Sequence, residues 1–195
     1  MIRDAGEDDL DALAAMKPTR AMHQDRIREA ARGWMRYLVA EIDAHVRAFG
    51  ILVFTAPEDW LRRDHVPLMV DLFVAEDWRC RGIGAAMIRR MEAIARARRQ
   101  TAIWLTVEPD NNARAMALYR RLGYQAMQET PFREAYRFVD SSGHVDEGVE
   151  WVVEMRKDLS SDLQSSGNGG GADLAGAGGL TGTAGAGRAT GAGCG

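Results

Sequence analysis

A chain of 195 residues, 46% of them apolar, is long enough to bury one hydrophobic core, and a net charge of −3 at pH 7 lacks the basic excess typical of nucleic-acid-binding proteins. The two cysteines, Cys80 and Cys194, are too few for a disulfide framework, which is typical of intracellular proteins. The polar start at Met1 does not resemble a secretory signal, and no apolar stretch approaches the ~20 residues of a bilayer span. These features predict a cytoplasmic protein without nucleic-acid or membrane partners.

The elements predicted from apolar periodicity and turn residues alternate between helices and strands. In chain order they are helices at 7–16 and 19–32, strands at 34–41, 45–55 and 68–75, a helix at 83–99, a strand at 103–107, a helix at 111–122 and a strand at 151–156. The clearest signal is the apolar stripe formed by Ile83, Met87, Met91 and Ile94. Strands separated by helices predict a sheet with parallel pairs at the crossovers.

Turns and loops separate these elements. Gly33 is predicted to end the second helix, and Asp43 to lie in the turn of a hairpin. Two longer segments, 57–67 and 131–148, are predicted to be loops that carry no recognisable motif. We expect them to help set the specificity for a ligand, and Trp60 is the tryptophan most suited to contact it.

The composition changes near Ser160. Thirteen of the 29 residues in 167–195 are glycine, and no apolar periodicity remains. The sequence therefore predicts one domain over 1–159 and a disordered Gly/Ala-rich tail over 160–195. A linker and an extension without function are both compatible with this composition.

The segment after the strand at 68–75 combines arginines and glycines with the start of a helix. Arg79 and Arg81 supply charged donors, while Gly82 and Gly84 let the backbone approach a ligand closely. The first amides of a helix have no partner inside it and favour an anion. The pattern predicts a site for a diphosphate, and a purely structural strand–helix turn is the alternative.

Two other phosphate-binding patterns fit this segment less well. The Gly-x-Gly-x-x-Gly fingerprint of dinucleotide folds requires a third glycine where Met87 stands, and the Gly-Lys-Ser/Thr sequence of a P-loop does not follow. A nucleotide-binding protein is therefore the weakest of the functional alternatives.

Two motifs in order resemble those of the GNAT superfamily of N-acetyltransferases. The resemblance to motif A rests on Arg79-x-x-Gly82-x-Gly84 after Asp71-Leu72-Phe73-Val74, and that to motif B rests on Asn112-x-x-Ala115-x-x-Leu118-Tyr119-x-x-x-Gly123-Tyr124. It extends over 1–159. It implies the α/β (α+β) GNAT fold, with a mixed central sheet of about six to seven strands, one pair of them splayed, and about four flanking helices.

The resemblance also implies which residues bind acetyl-CoA, the co-substrate. Phe73 and Val74 would line the pantetheine arm, and a backbone amide near Val74 would stabilise the oxyanion of a tetrahedral intermediate. Asn112 would bind the pantetheine or only cap its helix. The pyrophosphate cradle would comprise Arg79, Cys80, Arg81, Gly82, Ile83, Gly84 and Ala85.

Tyr119 is implied as the acid that protonates the departing CoA thiolate. A phenol keeps its proton at neutral pH and can donate it, although the position of Tyr119 after Leu118 on a helix also suits a core aromatic. Transfer would be direct, with the amine attacking the thioester carbonyl. An acyl-enzyme on Cys80 is not expected, since no histidine lies near it in the sequence.

The base that deprotonates the amine is the least certain part of the site. In family members that acetylate protein N-termini a glutamate often lies on the strand before motif B, whereas this chain has Thr106 there. Asp71, a charge within an apolar strand, is the preferred candidate, and it could equally point outward. Glu41, Glu108 and an ordered-water relay are the rivals.

The leading hypothesis is thus an N-acetyltransferase acting on a small-molecule or protein amine, and the alternative is a catalytically idle acyl-CoA-binding or regulatory module. No metal-ligand spacing is present, so no metal is predicted. The arginines in 89–99 are expected to form a solvated helix face, with contact to the CoA 3′-phosphate or to a partner as the alternative. Dimers are common in the family, and a homodimer is compatible with the sequence.

Overall fold

The computed structural model describes residues 1–55 and 67–160 of the chain. The predicted loop at 57–67, apart from its last residue, and the predicted tail beyond residue 160 lie outside these ranges. Among the described helices, none is long and apolar enough to cross a membrane.

The described part of the chain forms eight strands and four α-helices. The strands are β1 (Ile2–Asp4), β2 (Met35–Ile42), β3 (His45–Val53), β4 (Leu68–Val74), β5 (Ala102–Val107), β6 (Gln125–Ala126), β7 (Phe132–Val139) and β8 (Val145–Asp158). The helices are α1 (Leu10–Met16), α2 (Arg20–Ala31), α3 (Ile83–Ala97) and α4 (Ala113–Arg121). Short 3-10 turns precede α1 and follow β4.

The strands form one mixed sheet in the order β1-β2-β3-β4-β5-β8-β6, with β7 also paired to β8. β4 and β5 are parallel, as expected for a crossover through α3, and the other pairs are antiparallel. The predicted mixed α/β architecture with four helices is therefore confirmed.

Apolar side chains are buried on both faces of the sheet. One core cluster contains the predicted stripe of α3 together with Tyr119 of α4, and the other contains Leu13 of α1 and Tyr37 of β2. Helices α3 and α4 thus cover one face, while α1 and α2 cover the opposite face. Leu159 is fully buried and donates its N–H to the carbonyl of Thr101, so the core extends to the predicted domain end.

The prediction of a loop over 131–148 is wrong, because most of this segment belongs to a long hairpin. β7 pairs with the first half of β8 from Phe132 opposite Val152 to Val139 opposite Val145. The adjacent charges of Arg133 and Glu134 interrupt the alternation along β7, which weakened the signal of a strand in the sequence. This hairpin also explains why the final strand begins earlier than the predicted 151–156.

A bulge in β4 shapes the centre of the sheet. Phe49 of β3 pairs with Phe73, whereas Ile51 pairs with Val70, so Gly50 lies opposite two residues of β4, one of which is Asp71. Asp71 has a positive φ of 50°. A Cβ atom on Gly50 would lie 2.7 Å from the terminal methyl of Met91 on α3, so glycine allows the helix to approach the bulge closely.

Candidate active site

The parallel strands β4 and β5 separate shortly after they begin to pair. Their ladder comprises Leu68 opposite Trp104 and Met69 opposite Leu105, and no later residue of either strand continues it. The bulge at Asp71 follows immediately on β4. The predicted splayed pair is therefore present, and it leaves a gap between the second halves of the two strands.

The backbone of Val74 faces this gap. The N–H of Ala75 donates to the carbonyl of Arg47 on the β3 side, at 2.9 Å. Successive N–H groups of a strand point to opposite sides, so the N–H and carbonyl of Val74 point toward β5. The guanidinium Nε of Arg79 donates to the Val74 carbonyl at 3.2 Å. The Val74 amide thus faces the gap, and its role as the oxyanion donor stays a prediction.

The turn between β4 and α3 has the backbone of an anion cradle. Cys80 and Gly82 have positive φ values of 60° and 80°, which turn successive N–H groups toward one side. The first hydrogen bond of α3 runs from the N–H of Ala86 to the carbonyl of Gly82. The N–H groups of Ile83, Gly84 and Ala85 therefore come before the first helical hydrogen bond, and they lie at the positive end of a 15-residue helix.

These groups open into a pocket of about 390 Å³ between α3 and α4. Seven of the ten residues predicted to bind acetyl-CoA line it, namely Val74, Arg79, Cys80, Gly82, Ile83, Gly84 and Ala85. The pocket thus adjoins both the cradle and the end of β4. The amide donors and the arginines complement the negative charge of a pyrophosphate, and the positive N-terminus of α3 stabilises the same anion.

Helix α4 contributes two arginines that the sequence interpretation missed. Arg114 and Arg121 line the pocket together with Ala117 and Leu118. Their spacing of i, i+3, i+4 and i+7 defines one face of a helix, and this was the signal available in the sequence. The positive wall opposite the cradle is therefore formed by Arg114 and Arg121 of α4. The sequence had instead suggested the arginines in 89–99 as alternative contacts for the CoA 3′-phosphate.

Arginines pack against aromatic rings around the cradle. Arg81 and Arg47 each lie over the ring of Trp78, at 4.7 and 4.6 Å from its centroid. The guanidinium of Arg79 lies 5.9 Å from the centroid of Phe73. Arg81 and Phe73 are therefore adjacent to the cradle without lining the pocket, and their roles in acetyl-CoA binding stay predictions.

Tyr119 is almost completely buried on α4, with 1% of its surface exposed. Its ring packs edge-on against Tyr124, with 5.8 Å between the centroids. Burial raises the pKa of the Tyr119 phenol above its ordinary value, so the hydroxyl keeps its proton throughout the physiological range. Such a group can donate a proton but cannot act as a base at neutral pH. Its role as the acid stays a prediction.

Asn112 occupies the N-cap position of α4, and its side chain makes no capping hydrogen bond. Its backbone carbonyl accepts from the N–H of Met116, which begins the helix. The structure thus gives no support to the capping role that was considered for this side chain. Binding to the pantetheine stays a prediction.

Asp71 is buried between two cations, Lys17 and Arg26. Its carboxylate accepts from Nζ of Lys17 at 3.0 Å and lies 2.6 Å from Nη1 of Arg26. Burial alone would raise the pKa of the Asp71 carboxyl, but the charges of Arg26 and Lys17 outweigh it and hold this pKa below its usual value. A carboxylate so paired is a weak base, and these contacts favour a structural role.

The hydroxyl of Thr106 on β5 donates to the carboxylate of Glu134 on β7, over 3.4 Å. Both side chains are buried, with 6% and 8% of their surfaces exposed. Glu134 was missed because its segment was predicted to be a loop. Of the rival bases, Glu41 is bound by Arg3 at 2.9 and 3.0 Å, and Glu108 accepts from Asn111 at 3.2 Å.

Solved acetyltransferase structures share this fold. A ribosomal-protein-alanine N-acetyltransferase from Brucella melitensis is 21% identical, with a TM-score of 0.59 over 81% of this chain and 99% of the other. An N-acetyltransferase from Staphylococcus aureus Mu50 is 17% identical, with a TM-score of 0.60 over 82% and 98%. A phosphinothricin acetyltransferase from Sinorhizobium meliloti, solved in complex with AcCoA, is 16% identical, with a TM-score of 0.58 over 82% and 88%. Among curated protein sequences, none matches this chain.

The splayed sheet and its amide-lined turn thus belong to a fold that this chain shares with solved acetyltransferase structures. The model of the Acetyltransferase (GNAT) family matches residues 4–124, which include both sequence motifs. The chain belongs to the GNAT acetyltransferase family, and the resemblance first seen in its motifs is confirmed.

Proposed function

We propose that this protein transfers the acetyl group of acetyl-CoA to the amine of a small molecule or a protein. The observation that carries the proposal is the gap between β4 and β5, which opens beside the cradle at residues 79–85. Family membership supports acetyl transfer in general. The AcCoA complex of the Sinorhizobium meliloti enzyme, which has this fold, supports the choice of donor.

Acetyl-CoA would supply an activated acetyl thioester, and the chain would supply binding, orientation and proton transfer. The amides of Ile83, Gly84 and Ala85 would hold the pyrophosphate, with charge from Arg114 and Arg121. The Val74 amide would stabilise negative charge developing on the carbonyl oxygen. Tyr119, which burial keeps protonated, would give its proton to the departing sulfur.

Calorimetry on the full chain would test the donor. We expect micromolar binding of acetyl-CoA and little heat with ATP or NAD. Arg79→Ala should weaken binding of acetyl-CoA by about tenfold, since a charged hydrogen bond contributes ~1.5–3 kcal/mol. Arg89→Ala is the matched control, because Arg89 is an exposed arginine of α3 outside the pocket. Equal affinity for all three nucleotides, or none for acetyl-CoA, would contradict the proposal.

The alternative of a catalytically idle acyl-CoA-binding or regulatory module rests on the base, which the sequence motifs do not identify. It predicts acetyl-CoA binding without acetylation of any amine. Thiol release from acetyl-CoA in the presence of varied amines separates the two, because only a transferase releases free CoA in proportion to the amine.

A further inference from the structure

The site described so far has no residue assigned as the base of the reaction, and the contact between Thr106 and Glu134 bears on this assignment. Thr106 is the first residue of β5 beyond the last pair with β4, Leu105 with Met69. It therefore lies at the mouth of the gap. A hydroxyl is a poor base at neutral pH, but the carboxylate that it holds can accept a proton.

The two faces of the sheet assign different roles to the groups beside the gap. Leu105 and Val107 belong to the core cluster that contains Tyr119, whereas Trp104 belongs to the cluster on the α1–α2 face. Because side chains alternate along a strand, Thr106 points to the α1–α2 face. Glu134 and Tyr119 thus lie on opposite faces of the sheet, which suits an amine that enters on one face and a thiolate that leaves on the other.

The hairpin that carries Glu134 is fastened to α2. The N–H of Ser141, in its turn, donates to the carboxylate of Asp25 at 2.7 Å. Asp140 accepts from the hydroxyl of Thr19, the N-cap residue of α2, and from the N–H of His144 at 3.0 Å. These bonds hold β7 over the α1–α2 face, so that Glu134 is positioned by the fold and not by a free loop.

We propose that Glu134, on β7, is the catalytic base. It takes the role of a glutamate on β5, where this chain has Thr106, and the hydroxyl of Thr106 orients the carboxylate of Glu134. This inference rests on the proposed function. The substrate ammonium gives one proton to the carboxylate of Glu134, and the amine so formed attacks the thioester carbonyl to make the new N–C bond. The nitrogen releases its second proton to solvent as the C–S bond breaks, and the sulfur takes the proton of Tyr119. Glu134 then returns its proton to solvent, and Tyr119 is reprotonated from solvent.

The test compares pH profiles of kcat/KM for the full chain and its Glu134→Gln variant. Each assay contains acetyl-CoA and one amine, which is an alanine-initiated peptide, spermidine or a free amino acid. The rate is measured as the release of thiol from acetyl-CoA. At pH 7 we expect Glu134→Gln to lower kcat/KM by about 100-fold, the usual contribution of a base. The deficit should shrink above pH 8, because an α-amino group of pKa ~8 then needs no base. The Kd of acetyl-CoA should not change.

Glu147→Gln is the matched control, since Glu147 belongs to the same hairpin, is exposed and pairs with Arg137 at 3.0 Å. Wild-type kcat/KM in Glu134→Gln at every pH would overturn the base and leave the transferase intact. Wild-type protein that binds acetyl-CoA but acetylates none of these amines would overturn both. If Glu134→Gln does not fold, Thr106→Val decides: a displaced pH profile with unchanged KM supports the positioning, and an unchanged profile overturns it.

Discussion

The ammonium group of Lys17 lies 3.0 Å from a carboxylate oxygen of Asp71, although 54 residues separate them in the chain. The bond joins the end of α1 to the bulge of β4, and Arg26 of α2 adds a second cation to the same carboxylate. The two helices of one sheet face are therefore tied to the point where β4 leaves β5.

Asp71→Asn should lower the free energy of unfolding by about 3 kcal/mol, because removing one partner leaves buried cations uncompensated. Urea unfolding of wild type and variant measures this directly. If Asp71 were the catalytic base, Asp71→Asn would instead lower kcat strongly at neutral pH and hardly change the urea midpoint of unfolding. That result would support Asp71 as the base.

Tyr119→Phe should lower kcat by about 100-fold and leave the Kd of acetyl-CoA within about twofold, since only a proton donor is removed. Steady-state kinetics and calorimetry give the two quantities. Tyr124→Phe is the control, because Tyr124 packs against Tyr119 in the same core and also loses one hydroxyl. Equal losses of kcat in both variants would indicate that Tyr119 acts only through packing.

His23 should make the stability of the fold sensitive to mild acid. Its Nδ1 contacts the hydroxyl of Tyr37 and its Nε2 the carbonyl of Lys17, each at 2.6 Å. Burial lowers the pKa of His23 to about 4, below its unfolded value of about 6.5. The unfolded state therefore binds more protons between these values, and the stability contributed by neutral His23 is complete above pH 6.5 and lost toward pH 4.

Between pH 7.5 and pH 5 this linkage corresponds to about 2 kcal/mol. Urea midpoints measured across the interval should fall for wild type. They should fall less for His23→Gln, which keeps hydrogen-bonding groups but does not titrate. His144→Gln, at an exposed histidine, should keep the wild-type slope. Parallel slopes for wild type and His23→Gln would show that another group titrates.

Gly50→Ala should destabilise the protein by about 1–3 kcal/mol, the usual cost of overpacking. The new methyl would lie 2.7 Å from Cε of Met91 and 3.2 Å from Cδ1 of Leu72. Met91 can rotate away, but Leu72 belongs to the bulge. Gly6→Ala is the control, since a Cβ atom there meets nothing within 4 Å. Thermal unfolding of both variants should give a lower Tm for the first alone.

Local patterns were sufficient for most of the fold. The stripe of α3 is buried as predicted, Gly33 ends α2 with a φ of 86°, and Asp43 lies in the hairpin turn with a φ of 51°. In each case the signal resides in neighbouring residues, through helical periodicity or through the conformations that glycine and aspartate tolerate.

The parts that the sequence did not reveal depend on contacts between distant residues. Asp71 was considered as a base or an outward-pointing charge, because a bulge and its partners on α1 and α2 leave no local signal. The strand at Glu134 was overlooked because pairing with β8 stabilises it, and its own residues alternate only weakly. The motifs therefore did not point to Glu134.

The last strand in sequence, β8, lies inside the sheet, between β5 and β6. During synthesis the N-terminal residues emerge first, so one edge of β5 stays unpaired until residues 153–158 have been synthesised. An unpaired strand edge is a template for association with other chains. Ribosomal stalling or premature termination before β8 would accordingly leave the cradle residues already made but the sheet open, and such fragments should depend on chaperones to remain dispersed.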